Sequence, residues 1–406
     1  MAYAAARGLI RLQNALLGLF VRLFFARRAG APTRILVLRS SAVGDFVCAL
    51  PALHRLRQRF PHSRITLLTT PTGNPRYWHQ MPEAGGRVLA SPRLIDHILF
   101  FYSHELLRPR KFLELRRRVR GLHPDATFLL PFSGEPFSNR LKKIVLLRLL
   151  GVDRNLHGYQ MRGSLGLFRR AQFLRGDFPH QVLAPLEAVN GTAASVGEGL
   201  VFCVDTPPES VAAVDELWRH YGLNGSQPVV AIFPGGRFAH KRWPVENFVA
   251  LCRRLLDEFP VRVAVIGGPE DEAPGKALAA LAPGRVHNLV GQTSLLETAE
   301  LLRRCGLFIG NDSGPAHLAA AVGTPCVTLF SSVVFPGLWE PWGDQHTVLR
   351  HSVPCEFCFS EGHCPTGTME CIRGIPVEGV VAAATKYLAA NPTGGAADRQ
   401  DWVGVN

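Results

Sequence analysis

Long apolar runs are scarce in this 406-residue sequence. The nearest candidate for a membrane span, GLIRLQNALLGLFVRLFFARR near the N-terminus, is interrupted by arginine, glutamine and asparagine. No stretch reaches the 18 or more apolar residues that a spanning helix requires. No convincing small-residue cleavage site precedes the first strand-like segment either. We therefore expect neither a membrane span nor a secretory signal peptide.

Acidic residues are missing from residues 1–33, which contain five arginines. An apolar helix with arginines and no acid is typical of a helix that lies in the interface of an anionic membrane. A helix packed on the protein's own surface would show the same pattern. We interpret this segment as a basic amphipathic helix and an anionic lipid surface as its partner.

Two phosphate-binding motifs are also absent. The pattern GxxxxGK[ST] does not occur, and no GxGxxG follows the first strand-like segment, which excludes a Walker-type site and the dinucleotide fingerprint. The net charge of +13 and the pI of about 9.7 favour an anionic partner. Because the arginine runs lack interleaved aromatic residues and no reader motif occurs, we expect no nucleic acid among the partners.

The nine cysteines fall into two groups. Five lie singly in apolar runs and are typical of reduced, buried thiols: Cys48, Cys203, Cys252, Cys305 and Cys326. The other four follow the spacing C-x2-C-x5-C-x6-C: Cys355, Cys358, Cys364 and Cys371. Four thiolates could hold a structural zinc or iron ion, and packing thiols that are reduced or occasionally oxidised are the alternative. In either case we expect this cluster to take no part in catalysis.

Strand-like and helix-like segments alternate in both halves of the chain. The strand-like segments are RILVLR, RITLLTT and ATFLLPF in the first half and PVVAIFPGG, RVAVIGG, GLFIGND and PCVTLFSS in the second. Short apolar strands separated by helices are the pattern of βαβ units on a parallel sheet. The length is too great for one ordinary core, so the sequence predicts an α/β protein with two doubly wound domains. Ligands are expected at the carboxyl ends of the strands, in a cleft between facing domains.

Composition also predicts the domain boundaries. The predicted ranges are the N-terminal helix at 1–33, a first domain at 34–205, an interdomain linker at 206–226, a second domain at 227–389 and a flexible tail at 390–406.

Candidate site residues follow the predicted strands in four places. They are Asp45 in SSAVGD, Gly235, Gly236 and Lys241 in FPGGRFAHKRWP, Glu270, Asp271 and Glu272 in VIGGPEDE, and Asp312, Ser313, Gly314 and His317 in GNDSGPAHLAAA. Glycines, a lysine and a helix N-terminus suit a phosphate, and an acid at a strand end suits ribose hydroxyls. The alternatives are helix caps for the aspartates, a surface charge for the lysine, a core position for the histidine and a solvated loop for the acidic run.

Three blocks of this sequence resemble glycosyltransferase family 9, the bacterial lipopolysaccharide heptosyltransferases. They are RILVLRSSAVGDFVCALPALHRLRQRFP, PGGRFAHKRWPVENFVALCRRL and NLVGQTSLLETAELLRRCGLFIGNDSGPAHLAAAVGTPCVTLF. The segment PFSGEPFSNRLKKIVLLRLLGVDRNLHGY is similar to the acceptor region of the heptosyltransferase II branch. The resemblance covers residues 34 to 385, and the N-terminal extension lies outside the family pattern.

The resemblance implies a GT-B fold, with two Rossmann-like doubly wound domains facing a cleft. It implies an inverting, metal-independent transfer of a heptose from ADP-L-glycero-D-manno-heptose to a lipopolysaccharide core or related phosphorylated glycolipid. On matching positions, Asp45 would be the base and Lys241 would hold the donor diphosphate. Donor contacts would come from Gly235, Gly236, Lys241, Glu270, Glu272, Asp312, Ser313, Gly314 and His317. Acceptor contacts are expected from Ser41, Arg140, Lys142 and Lys143, in a cytoplasmic enzyme bound peripherally to the inner face of the cytoplasmic membrane.

Other functions fit parts of the same pattern. A family 9 transferase could use another nucleotide-sugar. A non-catalytic membrane adaptor that binds nucleotide or anionic lipid would need no base, so Asp45 would be dispensable. A nucleotide-sugar epimerase of similar architecture would leave the basic segment RPRKFLELRRRVR unexplained, because it transfers nothing to an acceptor.

Overall fold

The computed structural model describes residues 2–27, 29–39, 42–70, 91, 93–163, 169–191, 200–360 and 362–390. The chain forms two compact units whose boundary lies between Phe202 and Cys203. Ser41 and most of the predicted tail, residues 391–406, lie outside the described residues.

The first unit is built on a parallel sheet. Its strands are β1 (Arg34–Leu38), β2 (Arg64–Thr69), β3 (His97–Phe100), β4 (Ala126–Leu129) and β5 (Leu156–His157), in the order β3-β2-β1-β4-β5. Its described helices are α1 (Ala2–Phe24), α2 (Val43–Val47), α3 (Leu50–Arg59), α4 (Pro109–Gly121), α5 (Phe137–Leu149), α6 (Arg169–Phe173) and α7 (Leu183–Asn190). The central strands are apolar on both faces because helices cover both sides of a parallel sheet. Leu36, Leu129 and Ile144 lie in the resulting core.

The second unit repeats this architecture. Its strands are β6 (Val229–Phe233), β7 (Arg262–Val265), β8 (Val286–Asn288), β9 (Leu307–Asn311), β10 (Cys326–Phe330) and β11 (Thr347–Arg350), in the order β11-β10-β9-β6-β7-β8. Its described helices are α8 (Pro208–His220), α9 (Val245–Glu258), α10 (Glu272–Ala279), α11 (Leu295–Arg304), α12 (Gly314–Ala321), α13 (Glu370–Arg373) and α14 (Val377–Ala390). Val230, Ile309 and Leu255 belong to its core.

Local sequence explains where several helices begin. Ser294 and Glu297 form a reciprocal capping box at the start of α11, with Ser294 N donating to Glu297 Oε2 at 2.7 Å. The predicted helix VCALPALHRLRQRF begins only at Leu50, because the chain turns at Cys48 and Ala49, after the short helix α2, and Pro51 occupies the first turn of α3. Within the predicted linker, α8 packs against α11 and so belongs to the second unit.

Both sheets reverse their strand order in the middle. The reversal lies between β1 and β4 in the first unit and between β6 and β9 in the second, and each pair is parallel. The space beyond the carboxyl ends of such strands is where doubly wound sheets bind ligands. The predicted α/β class with two Rossmann-like sheets is therefore confirmed. Among the described helices, none is long and apolar enough to cross a membrane.

Candidate active site

The side-chain amide of one buried residue holds the loop after β6, at the place where the second sheet reverses its strand order. Asn311, the last residue of β9, donates through Nδ2 to the carbonyl oxygens of Pro234 and Gly235, at 3.0 and 2.8 Å. Its Oδ1 accepts the backbone N–H of Trp243 at 3.0 Å. The segment from Pro234 to Trp243 is thus held at both ends against β9, and it carries Gly235, Gly236 and Lys241 between them.

Lys241 forms an ion pair within this loop region. Its Nζ lies 2.6 Å from Oδ2 of Asp312, and the two side chains are 20% and 7% exposed. An ammonium carries three N–H donors, so Asp312 can orient it while the remaining donors face an anionic ligand. The structure therefore brings together two residues that the sequence predicted for the same site.

The N-terminus of α12 lies directly beyond β9. Ser313 precedes the helix in extended backbone and donates its Oγ hydrogen to the carbonyl of Asn311 at 3.2 Å. Backbone N–H groups at a helix N-terminus and the positive end of the helix dipole attract anions. His317 follows within the first turns, is buried, and packs edge-on to Trp339. Gly314 and Ser313 thus stand beside the Lys241–Asp312 pair at the carboxyl end of the sheet.

Burial distinguishes the three acids of the β7 loop. Asp271 is 4% exposed and accepts the N–H of Gly268 at 3.1 Å. A Cβ on Gly235 would lie 2.3 Å from Asp271 Oδ1, so the carboxylate leaves no room for a larger residue in the β6 loop. Glu270 is exposed, and Glu272 pairs with Lys276 at 3.1 Å. The sequence assigned donor contacts to Glu270 and Glu272, whereas Asp271 is the acid that touches the loop.

Asp271 is expected to make stability depend on pH. Burial, and then the charge of Glu270, raises its pKa from 3.8 to about 6. Because the folded state binds this proton more tightly than the unfolded chain, the free energy of unfolding falls as pH rises from about 4 to 6, by up to about 3 kcal/mol. Asp271→Asn keeps the shape and removes the charge, so its advantage over the wild type should grow across this range in urea unfolding. Glu272→Gln serves as the control, and equal pH slopes for Asp271→Asn and wild type would contradict the account.

A buried arginine lies where the first sheet reverses its strand order, between β1 and β4. Arg39 follows β1, is 1% exposed, and donates to the carbonyl oxygens of Leu130 and Pro131 beyond β4, at 3.2 and 2.8 Å. The same guanidinium donates to the backbone oxygen of Asp45 at 2.6 Å. Arg39 thereby links two strand ends to the helix that carries Asp45. Sequence reasoning missed it, although a charged residue directly after an apolar strand was a usable signal.

Asp45 stands in the first turn of α2 and is half-buried. Its Oδ2 accepts the backbone N–H of Ala42 at 2.9 Å, so the helix-capping alternative is real. A carboxylate offers about four lone-pair sites on two oxygens, so this bond is compatible with a second role. The structure places Asp45 at the carboxyl end of β1, where the sequence predicted it.

An acid missed by the sequence binds two of the predicted acceptor residues. Glu135 accepts from Nε of Arg140 at 2.7 Å and pairs with Lys143. Burial by itself would raise the pKa of Glu135, but the charges of Lys143 and Arg140 hold it below its usual value. Arg140, 2% exposed, also donates to the carbonyl oxygens of Gly158 and Gln160. Arg140 and Lys143 therefore connect α5 to Glu135, and Arg140 also connects it to the segment after β5. Lys142 is exposed.

Arg140 also lines a cavity at the carboxyl ends of β4 and β5. This cavity has a volume of about 270 Å³, and its other lining residues include Phe132, Ser133, Met161 and Glu187. It lies entirely within the first unit, beside the segment PFSGEPFSNR that the sequence associated with an acceptor.

Comparison with known proteins decides the family. Residues 158–367 match the sequence model of glycosyltransferase family 9 (heptosyltransferase). The chain belongs to glycosyltransferase family 9. This family 9 enzyme is 33% identical to lipopolysaccharide heptosyltransferase 3 of Escherichia coli K12 over 361 residues, covering 85% of this chain and 95% of that protein. It is 26% identical to lipopolysaccharide heptosyltransferase 2 of the same strain over 330 residues, covering 78% and 88%.

A solved relative has the same fold. The structure of E. coli ADP-heptose lipopolysaccharide heptosyltransferase II superimposes with a TM-score of 0.60 at 20% identity, covering 88% of this chain and 99% of that one. The family 9 enzyme is therefore a glycosyltransferase of GT-B type, related to heptosyltransferases of lipopolysaccharide biosynthesis. The predicted family, fold class and enzyme class are confirmed.

Proposed function

We propose that this enzyme transfers a heptose from ADP-L-glycero-D-manno-heptose to a lipopolysaccharide core or a related phosphorylated glycolipid, with inversion at the anomeric carbon. The observation that carries the donor half is the Lys241–Asp312 pair beside the N-terminus of α12. The choice of ADP-heptose is supported by the solved relative, which is described as an ADP-heptose enzyme.

The second unit would hold the donor. Lys241, Ser313 and Gly314 would bind the diphosphate with the N–H groups of α12, and Gly235 and Gly236 would let the β6 loop approach it closely. His317 would complete the diphosphate site, and Asp312 would orient Lys241. Glu270 or Glu272 would accept hydrogen bonds from the ribose hydroxyls.

Three groups would carry the chemistry. Asp45 would take the proton of the acceptor hydroxyl as that oxygen attacks the anomeric carbon. The bond from this carbon to the diphosphate breaks, and Lys241 and the α12 N-terminus would stabilise the negative charge that develops on the leaving group. These groups supply the charge that the step requires, so we propose that transfer proceeds without a catalytic metal ion.

The first unit would hold the acceptor. Lys142 is exposed on α5 and would meet an acceptor phosphate. Arg140 and Lys143 would shape the adjacent cavity through Glu135. Ser41, in the segment before Asp45, is assigned to the same acceptor region from its position in the family pattern.

Nucleotide selectivity tests the donor half of this proposal. Purified enzyme is titrated with ADP, UDP, GDP and their sugars, with Lys241→Ala as the matched variant. Preference for ADP and ADP-heptose, lost in the variant, would support the proposal. Preference for a uridine or guanosine nucleotide would discard ADP-heptose, and binding of none would favour a non-catalytic membrane adaptor.

Helix α1 presents a second apolar face to solvent. Leu12, Leu16, Leu19 and Leu23 recur at intervals of four, three and four residues and are exposed. The opposite face is buried, and Asn14 exchanges two hydrogen bonds with the backbone of Met161, at 2.8 and 2.7 Å. The helix is therefore held against the first unit and still carries an exposed leucine stripe. With arginines and no acid in the same helix, this stripe supports peripheral binding to the anionic inner face of the cytoplasmic membrane.

Removing two leucines of this stripe should weaken membrane binding. Leu16→Ser with Leu23→Ser is expected to lower affinity for phosphatidylglycerol-containing vesicles by about 10²- to 10⁴-fold, because each leucine contributes about 1.5–3 kcal/mol when it is buried. Vesicle co-sedimentation measures the change. The control is Leu107→Ser, which removes an even more exposed leucine elsewhere in the first unit. Equal binding by the double variant and the control would contradict membrane docking by α1.

A further inference from the structure

Four cysteines converge on one small cavity in the second unit. The cavity has a volume of about 20 Å³ and is lined by Cys355, Cys358, Cys364, Cys371 and His240, among others. A space of this size holds one water-sized or ion-sized occupant. The sequence spacing alone could not establish that all four cysteines line the same cavity.

His240 supplies an independent indication of a ligand. Its side chain lines this cavity and is 3% exposed, and within the described part of the chain neither ring nitrogen has a hydrogen-bond partner. Burying an imidazole without partners costs free energy, so buried polar groups are normally satisfied. A thiolate sulfur in the cavity would accept the ring N–H.

Backbone contacts already hold the cysteine loop around the cavity. The N–H groups of Phe357 and Phe359, on either side of Cys358, donate to the carbonyl oxygens of Ser332 and Val333, at 2.6 and 3.0 Å. The N–H of Met369 donates to Sγ of Cys364 at 3.4 Å.

We propose that Cys355, Cys358, Cys364 and Cys371 bind one zinc or ferrous ion as a tetrahedral tetrathiolate site, with His240 donating a ring N–H to a bound sulfur. As they stand, no three His, Cys, Asp or Glu side chains among the described residues lie close enough to share an ion. Binding would draw the sulfurs of these four cavity-lining cysteines together around the ion. Each thiol releases its proton to solvent when it binds the metal.

The site would brace the donor loop. His240 directly precedes Lys241, so a metal that fixes the imidazole also fixes the chain beside the Lys241–Asp312 pair. This consequence rests on the proposed function, whereas the metal site does not. The ion is structural, because a closed tetrathiolate sphere leaves no position for substrate.

Metal analysis of the purified full-length chain tests the site. Protein is prepared under reducing, anaerobic conditions from cells grown with zinc and iron, and its metal content is measured by mass spectrometry. We expect about one zinc or iron per chain, and the element found identifies the ion. Cys358→Ser and Cys371→Ser should lose more than about tenfold of this content. Cys203→Ser, outside the cluster, should retain it.

Each of the following results would overturn the proposal. One is wild-type protein that contains neither metal and takes up neither Zn²⁺ nor Fe²⁺ when reduced. The other is unchanged metal content in the cysteine variants. If those variants do not fold, wild-type protein is titrated with a mercurial thiol reagent, which should release one metal per chain, and absence of release would also overturn it. His240→Ala should keep the ion with about 10- to 100-fold weaker affinity, and unchanged affinity would remove His240 from the site. None of these measurements requires donor binding, so failure here is distinguishable from failure of the proposed function.

Discussion

Asp45→Asn is expected to lower the rate of sugar transfer by about 10²- to 10⁴-fold, because the amide cannot take the proton of the acceptor hydroxyl. Nucleotide binding should be unchanged, since the proposed donor residues lie in the other unit. The measurement is single-turnover transfer with saturating donor, together with ADP affinity by calorimetry.

This substitution separates catalysis from helix capping. Asp45 accepts the N–H of Ala42, and the asparagine carbonyl can accept the same bond. The melting temperature should therefore stay close to that of the wild type. Asp45→Ala removes both the proposed base and the cap, so it should be both inactive and less stable. A folded Asp45→Asn enzyme with near-normal turnover would show that Asp45 only caps α2.

Lys241→Ala is the second change with a large expected effect. Removing one charged donor to the developing oxyanion is expected to lower the transfer rate by about 10²- to 10³-fold. Loss of a charge-assisted hydrogen bond should also weaken ADP binding by about 10- to 100-fold. Stopped-flow transfer and calorimetry measure the two effects on the same preparation.

The buried partner of Lys241 requires a matched control. Asp312 is 7% exposed and would be left without its cation, which is expected to cost up to about 3 kcal/mol of stability. Lys241→Ala combined with Asp312→Asn removes the stranded charge and should recover most of this loss. If the double variant also recovers ADP affinity, the effect of Lys241 is one of folding and the proposed diphosphate contact is wrong.

The sequence predicted the central strands of both sheets because their apolar runs are continuous. RILVLR, PVVAIFPGG and GLFIGND each contain a buried strand, namely β1, β6 and β9. The outer strands were missed because their signal is weak. β5 has only two residues, and every residue of β11 is half-buried, so neither shows a clear pattern. The predicted helix that contains Pro51 begins later than expected, at Leu50, because a proline favours the first turn of a helix over its interior.

The candidate site was predictable as a set of strand-end residues but not as a network. Lys241 and Asp312 are 71 residues apart, and Arg39 bonds to a carbonyl 91 residues away. Contacts over such separations depend on tertiary packing, which residue spacing does not encode. The same limit applies to Asp271, whose burial distinguishes it from two acidic neighbours, and to Glu135, whose two cations are fixed by α5. The catalytic and binding roles of these residues stay predictions.

The most direct test of the central claim is a transfer assay with purified enzyme and a heptose-deficient lipopolysaccharide acceptor, read by mass spectrometry and by the anomeric configuration of the product. ADP-L-glycero-D-manno-heptose, UDP-glucose and GDP-mannose are supplied in parallel. The account predicts that only the ADP-heptose reaction adds one heptose, with inverted configuration. Transfer from either of the other donors, retention of configuration, or no transfer to any phosphorylated core acceptor would contradict it.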